Sequence, residues 1–269
     1  MKRLLAIVLA VVLLTTMMFT LASCGKKEKL IVGVTPFEPM NFQDANGNWT
    51  GFDSEFALAV GEKLGMEIEF QEITWGQKFV ELQSGAIDAI WNGMTANTID
   101  GTTKRPRHED TDFSYSYMLN KQCVVIRTDM AGQIRALNDL VGKTMAAEKG
   151  SAGEAIALEI LGPDAPIIDV VAQIDTFIEV KSGAVAFAIV DSILAFEMTG
   201  SGDYSDLMVA DIELGSEPEV YAIGFRIGSD LVAKVNKAIM DLYNDGTLTK
   251  IAEKYGLEKS LAIGTDPIK

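Results

Sequence analysis

An alternation of predicted strands and helices restricts this chain to an α/β fold. Apolar runs and period-two alternation predict strands over residues 29–34, 66–73 and 87–91. Apolar residues that recur every four positions predict a helix over 52–64, and a second helix is predicted over 75–84. This β-α-β-α-β order is typical of a mainly parallel sheet with helices on both faces.

A second α/β unit follows the first, with a further strand and two helices towards the end of the chain. The predicted elements are strands over 122–127, 144–147, 167–171, 186–190 and 220–225, and helices over 151–161, 174–182, 229–245 and 247–255. Two similar units in one chain predict two lobes that face a cleft. Open α/β sheets bind ligands at the carboxyl ends of their strands, and domain interfaces are common pockets.

The first 25 residues have the composition of an export signal. Lys2 and Arg3 form a basic start, residues 4–21 carry no charge, and small residues precede Cys24. The LASC sequence at 21–24 resembles a bacterial lipobox. That resemblance implies a lipoprotein signal peptide over 1–23, lipidation of Cys24, a tether over 24–29 and an extracytoplasmic, membrane-anchored protein. A plain signal peptide and an uncleaved anchor are the alternatives.

The charge of the mature chain argues against two classes of partner. Removal of residues 1–23 takes away Lys2 and Arg3, which leaves 21 of the 23 basic residues against 38 acidic ones, a formal net charge of −17. Such acidity disfavours nucleic acid and anionic membrane surfaces. With Cys24 acylated, Cys123 is the remaining cysteine, so no intrachain disulfide is expected.

A series of short motifs runs through most of the mature chain. In order they are GNWTGFD (47–53), LQSG (82–85), NGMT (92–95), DFS (112–114), DLVGK (139–143), GS (150–151), YAIG (221–224) and DGTL (245–248). Their order and spacing resemble the extracytoplasmic solute-binding proteins, family 3 type, of polar amino-acid ABC transporters. The resemblance extends from about residue 30 to 257.

The resemblance implies a two-lobed, type II periplasmic-binding-protein-like fold that captures a free amino acid and delivers it to an ABC permease. Lobe 1 is expected to comprise residues 30–117 plus 221–269, and lobe 2 residues 122–217. Two hinge crossings are expected at 118–121 and 218–220. The implied partners are an L-amino acid, the permease subunits and, through the lipid on Cys24, the membrane.

The chemistry of a free amino acid defines the side chains that the cleft needs. Its carboxylate favours a bidentate guanidinium and oriented N–H groups, its ammonium favours a carboxylate, and an aromatic wall supplies apolar contact. Phe37 and Trp75 match the aromatic wall of the family. Gly93 and Thr95 follow the strand predicted over 87–91, where backbone groups and a hydroxyl can meet the ligand.

Arg107 is the candidate for the ligand carboxylate because it stands six residues before Phe113, as the arginine of the family does. The segment 96–107 is several residues longer than the usual connection in the family. Within it Arg105 also has a suitable spacing from Thr102. Arg107 is favoured, Arg105 is the alternative, and both can also be solvated loop residues.

The second lobe is expected to contribute a helix start and an acid. Ser151 precedes a predicted helix and should cap it, which would leave the N–H groups of Ser151 and Ala152 pointing into the cleft. Asp191 follows a mostly apolar run at 186–190 and so lies at the carboxyl end of a strand. It is the candidate for the ligand ammonium, and a helix N-cap is the alternative.

Two other function classes are alternatives on this fold. A cyclohexadienyl-dehydratase-like enzyme on the same fold needs a general acid in the cleft, whereas His108, the one histidine, lies in a charged loop and should face water. The sensor module of a receptor needs a later transmembrane segment, and none is visible in 25–269. No nucleophile triad, metal-ligand cluster or phosphate loop is visible, so no enzyme activity, cofactor or metal is expected.

The ligand side chain is predicted from the end of the first strand. Members of the family that bind basic amino acids carry an acid there, whereas this chain has Thr35 and no acid before Glu38. The sequence therefore favours a neutral polar amino acid, with glutamine as the first candidate.

Overall fold

The structure, a computed structural model, describes residues 27–215, 218–265 and 267. The lipobox and Cys24 lie outside the described residues. The helices, in chain order, are α1 (Phe52–Leu64), α2 (Lys78–Ser84), α3 (Ala152–Leu161), α4 (Asp175–Ser182), α5 (Ser192–Met198), α6 (Leu231–Asn244) and α7 (Thr247–Lys254). None of these helices is long and apolar enough to cross a membrane.

The strands form two five-stranded sheets and two smaller ones. In chain order they are β1 (Lys29–Val34), β2 (Phe42–Gln43), β3 (Trp49–Thr50), β4 (Glu67–Glu72), β5 (Ala89–Ile90), β6 (Asp112–Phe113), β7 (Ser116–Asn120), β8 (Gln122–Arg127), β9 (Met145–Glu148), β10 (Ile167–Val170), β11 (Phe187–Asp191), β12 (Leu207–Val209), β13 (Glu219–Tyr221), β14 (Gly224–Phe225) and β15 (Leu261–Gly264).

The first large sheet has the strand order β4-β1-β5-β14-β6, and the second has β10-β9-β11-β8-β12. In the first, β1 pairs in parallel with β4 and β5, while β14 is antiparallel to β5 and β6. In the second, β9 pairs in parallel with β10 and β11, while β8 is antiparallel to β11 and β12. One strand in each sheet therefore runs against the other four, which confirms the two-lobed, mainly parallel α/β architecture.

A three-stranded sheet, ordered β13-β7-β15, lies in sequence where the chain passes between the two large sheets. In it β7 and β13 are antiparallel, with Asn120 opposite Glu219 and Met118 opposite Tyr221. The two predicted hinge crossings thus fall on or beside a pair of hydrogen-bonded strands. The exact lobe and hinge boundaries stay a prediction.

The core of the first lobe explains why 52–64 folds as a helix. Phe52, Phe56 and Val60 recur every four residues and are fully buried, and the Phe56 ring meets the edge of Trp91 at 5.0 Å between centroids. The helix ends at Gly65, whose φ of 69° is a left-handed conformation that glycine adopts at little cost. This packing fixes α1 beside the strand ends that form the cleft.

Several predicted bounds differ from the observed ones by one or two residues, and three predicted elements also differ in regularity or continuity. The strand predicted over 87–91 is regular only at Ala89–Ile90, and the helix predicted over 75–84 begins with a 3₁₀ turn, Trp75–Gln77. The strand predicted over 220–225 is two short strands, because the chain leaves the three-stranded sheet after Tyr221 and joins the first large sheet at Gly224. Short pairings of this kind depend on partners that are distant in the sequence.

Candidate ligand-binding cleft

A small cavity of about 20 Å³ lies between the carboxyl ends of strands from both large sheets. All eight of the predicted ligand-binding residues line it: Phe37, Trp75, Gly93, Thr95, Arg107, Ser151, Ala152 and Asp191. The remaining lining residues are Thr35, Asn92, Glu148 and Gln173.

A buried amide fixes the strand ends of the first lobe. The Oδ1 atom of Asn92 accepts the backbone N–H of Thr35 and the Nδ2 group of Asn41, each at 2.8 Å. Its Nδ2 group donates to the Thr35 hydroxyl at 2.6 Å. These bonds hold the segments that follow β1 and β5 together, so that Thr35 and Gly93 face the same cavity.

Gly93 is required by the close approach of two aromatic rings. Its φ is 58°, and a Cβ atom at this position would lie 2.5 Å from Phe37 and 3.0 Å from Tyr221. Its N–H donates to Asp53 at 2.6 Å, and the Tyr117 hydroxyl donates to the same oxygen at 2.9 Å. Burial raises the pKa of Asp53 to about 7.

The two predicted aromatic residues form part of the cavity wall. Trp75 is buried at the start of the 3₁₀ turn, and the Arg107 guanidinium carbon lies 5.6 Å from the centre of its ring. Phe37 packs edge-on against Tyr221 at 6.5 Å between centroids. The Trp75 ring therefore lies near the guanidinium, and both rings limit the cavity.

Two hydrogen bonds hold the Arg107 guanidinium and leave some of its N–H groups unused. Its Nη1 donates to the Thr95 carbonyl at 2.9 Å and its Nη2 to the Gly150 carbonyl at 3.1 Å. Each terminal nitrogen carries two N–H groups, so one on each is left for another acceptor. Arg107 is 1% exposed and lines the cavity, whereas Arg105 is 53% exposed and pairs with Asp110 outside it.

The long segment 96–107 places a buried acid, Asp100, next to Arg107. The Oδ2 atom of Asp100 lies 2.5 Å from Lys78 Nζ and 3.6 Å from Arg107 Nε. Burial raises the pKa of Asp100, but the charges of Lys78 and Arg107 outweigh that effect, and its pKa lies below the ordinary value. Lys78 also donates to the Gly150 carbonyl at 3.1 Å, so the cluster joins the two lobes.

The start of α3 is partly as expected. The Ser151 hydroxyl accepts the Glu154 N–H at 3.0 Å, which confirms the N-cap. The expectation of a free Ser151 N–H is wrong, because that group donates to the Glu148 carbonyl at 3.1 Å across the turn. The N–H of Ala152, at the first helical position, has no acceptor within the described residues.

Asp191 ends β11 and occupies the N-cap position of α5, but its side chain makes no capping bond. Its Oδ1 atom accepts bonds from Asn120, from Gln122 at 3.1 Å and from the Tyr221 hydroxyl at 2.8 Å. Its Oδ2 atom accepts the Gln173 amide at 2.7 Å. All four donors are uncharged, so the carboxylate can still take a cation as its partner.

A second carboxylate shares these donors. Glu219 accepts from the Asn120 amide at 2.8 Å and from the Gln122 amide at 2.9 Å. Burial, followed by the nearby charge of Asp191, raises the pKa of Glu219 to about 7. Because Asn120 and Glu219 belong to the crossing strands β7 and β13, the Asp191 carboxylate is tied to the connection between the lobes.

Sequence reasoning missed four of the lining residues, although a positional signal existed. Thr35, Asn92 and Glu148 stand at or just after the carboxyl ends of β1, β5 and β9, where open α/β sheets bind ligands. Gln173 precedes α4, and nothing in its local sequence marks it. Within the parts of the chain that the structure covers, no cluster of three metal-ligating side chains occurs, and His108 is exposed.

Comparison with known proteins places this cleft among amino-acid-binding proteins. The model of the bacterial extracellular solute-binding proteins, family 3, matches residues 30–258. The arginine-binding extracellular protein ArtP of Bacillus subtilis (strain 168) is 30% identical over 249 residues, which are 88% of this chain and 92% of the relative.

Two solved structures are similar in fold and sequence. A substrate-binding protein of an ABC uptake transporter from Streptococcus pneumoniae, with bound histidine, is 31% identical, with a TM-score of 0.76 and coverage of 88% of this chain and 95% of that one. The ancestral amino acid-binding protein AncCDT-1, a precursor of cyclohexadienyl dehydratase, is 30% identical, with a TM-score of 0.73 and coverage of 84% and 95%.

Proposed function

The chain belongs to the bacterial extracellular solute-binding proteins, family 3, and we propose that it captures a free amino acid outside the cell and delivers it to an ABC permease. One observation carries the proposal. The cavity contains, from opposite lobes, an arginine with unused N–H groups and a carboxylate whose partners are all uncharged. A zwitterion complements this pair, because its two charged groups match the two side chains in sign.

We propose that Arg107 binds the α-carboxylate and that Asp191 binds the α-ammonium. One unused N–H on each terminal nitrogen of Arg107 suits a bidentate carboxylate. The N–H of Ala152, at the positive end of α3, is a further donor on the opposite wall. The hydroxyls of Thr95 and Ser151 and the backbone of Gly93 complete the polar lining, and Phe37 and Trp75 pack against the ligand.

Binding at opposite lobes couples recognition to closure. Arg107 lies in sequence between β5 and β6 of the first large sheet, and Asp191 ends a strand of the second. A ligand that needs both residues favours the closed form over the open one, because only closure satisfies both charges.

The side chain of the ligand is polar in this proposal. Thr35 at the end of β1, in place of an acid, favours a neutral side chain, and glutamine is the first candidate. Cationic amino acids are the second candidate, because similar proteins are named for arginine or contain histidine. Isothermal titration of residues 24–269 with each of the twenty amino acids tests the function. Micromolar or tighter binding of one chemical class supports it, and binding of none contradicts it.

A non-enzymatic role is part of the proposal. No histidine is among the described residues that line the cavity, and the proposed use of Asp191 for the α-ammonium group favours amino-acid binding. The dehydratase alternative rests on the similarity to AncCDT-1, which is itself described as an amino acid-binding protein. Dehydration of a cyclohexadienyl substrate by the purified protein would favour the enzyme, and unchanged substrate after prolonged incubation would favour binding alone.

Membrane anchoring through Cys24 is also proposed. Its support is the LASC sequence after an uncharged segment. Two acyl chains on one residue anchor a protein far better than a single chain does. Cys24→Ser should abolish lipid-dependent retention at the membrane, and a variant that is still processed and still found in the membrane pellet would contradict lipidation.

A further inference from the structure

Glu148 is a cavity residue that the binding of the α-groups leaves unused. It is the last residue of β9, it is 4% exposed, and it lines the cavity together with Arg107 and Asp191. Its Oε1 atom is buried and has no hydrogen-bond partner among the described residues. Buried carboxylate oxygens are nearly always paired, so an unpaired one that lines a cavity points to a ligand.

Neither neighbouring cation, Lys78 or Arg107, is hydrogen-bonded to Glu148. Lys78 has three N–H groups, and these reach Asp100 at 2.5 Å, the Gly150 carbonyl at 3.1 Å and the Trp75 carbonyl at 3.4 Å. Every donor of Lys78 is therefore engaged elsewhere. The next residue along the chain, Lys149, pairs with Glu154 and Asp169.

The charges that line the cavity are unequal. Among the described residues that line the cavity, Arg107 is the one cation, while Asp191 and Glu148 are both acids. Arg107 and Asp191 match the carboxylate and the ammonium that every amino acid shares. Glu148 therefore remains for the part of the ligand that differs from one amino acid to another, which is the side chain.

We propose that Glu148 determines specificity by accepting a hydrogen bond from an N–H group at the end of the ligand side chain. The inference rests on the proposed amino-acid binding and names its substrate class. That class comprises amino acids with a side-chain N–H: glutamine with its amide, and arginine, lysine and histidine with their cations. Side chains without such a donor, as in methionine and glutamate, leave Oε1 unpaired or face it with a second carboxylate.

The protonation state of Glu148 distinguishes a ligand with an amide side chain from one with a cationic side chain. Burial, opposed by Lys78 and Arg107 and reinforced by Asp191, raises the pKa of Glu148 to about 8. Before a ligand binds, the Glu148 carboxyl is therefore mainly protonated at pH 7. A cationic side chain should ionise Glu148 and release a proton, whereas an amide side chain should bind without proton release.

The test compares residues 24–269 with the Glu148→Leu variant by isothermal titration. The ligands are glutamine, arginine, lysine and histidine, with methionine and glutamate as comparators. The wild type should bind at least one N–H ligand on the order of 10- to 100-fold more tightly than methionine. Glu148→Leu should abolish that preference and bind methionine no more weakly. Glu159→Gln, an exposed acid on α3, is the matched control and should behave as wild type.

Two further measurements separate a specificity role of Glu148 from a general loss of folding. Titration in buffers of different ionisation enthalpy counts released protons, and Glu148→Gln should weaken cationic ligands while sparing glutamine. Thermal unfolding checks each fold, and Glu148→Ala replaces the leucine variant if that variant unfolds. Unchanged ligand ranking in Glu148→Leu, or an equal loss for all ligands, overturns the role of Glu148 alone. Absence of binding by the wild type overturns the proposed function instead.

Discussion

Substitution of Asp100 by asparagine should strongly destabilise the protein. Asp100 is fully buried, and its Oδ2 atom faces both Lys78 and Arg107. Its Oδ1 atom accepts the N–H groups of Thr102 and Thr103, each at 3.0 Å. Because asparagine keeps an acceptor for those two bonds, the substitution removes the charge while preserving the turn.

The magnitude follows from the two buried cations that remain. Removal of one partner from a buried ion pair costs about 3–5 kcal/mol, because the other charge is left uncompensated. For a protein of this size each kcal/mol shifts the melting temperature by about 2–4 °C. Asp100→Asn should therefore lower the melting temperature by about 6–20 °C. Affinity should fall too, because Lys78 and Arg107 both donate to Gly150 across the cleft.

Differential scanning calorimetry of the unliganded protein measures this directly. Arg105→Ala is the control, because Arg105 lies in the same segment, is exposed and pairs only at the surface. Its effect should stay within about 1 kcal/mol. Lys78→Met combined with Asp100→Asn should cost less than the sum of the two single changes. A melting temperature of Asp100→Asn within about 2 °C of wild type would refute the reasoning.

The remaining predictions concern the ligand and pH. Arg107→Ala should weaken amino-acid binding by about 2–5 kcal/mol in calorimetric titration, whereas Arg105→Ala should bind as wild type; the reverse result would move the carboxylate site to Arg105. Asp191→Asn should weaken binding severely and reduce ligand-induced compaction in small-angle scattering, and wild-type values for both would leave it without a ligand role. Because the pKa of Asp53 is raised to about 7, its stabilising contribution is fully present below its unfolded pKa and is lost as pH rises to about 7. Chemical denaturation should therefore show a shallower fall in unfolding free energy with pH for Asp53→Asn, and an unchanged slope would contradict this.

The extent of sequence-based prediction differs between local and long-range features. The helix over 52–64 and the strands over 29–34 and 122–127 were predicted with the observed bounds, because their apolar periodicity is strong and local. The two-residue strand Ala89–Ile90 and the break between Tyr221 and Gly224 depend on pairing partners far along the chain. No local pattern encodes them.

The site shows the same division. Asp191 and Arg107 could be named in advance because a strand end and a motif spacing mark them. The Lys78–Asp100 pair could not, because Lys78 lies on α2 and meets Asp100 only through the tertiary packing of a segment that departs from the family pattern. Glu148 stands at a strand end like Asp191, but its unpaired oxygen is visible only once the neighbouring donors are placed.

A crystal structure of the protein with its amino acid bound tests the central claim most directly. We expect the ligand in the cavity between the two large sheets, with its α-carboxylate within hydrogen-bonding distance of the Arg107 terminal nitrogens and its α-ammonium within hydrogen-bonding distance of Asp191. An amino acid bound outside this cavity would contradict the account. So would one bound inside it with its carboxylate away from Arg107 and its ammonium away from Asp191.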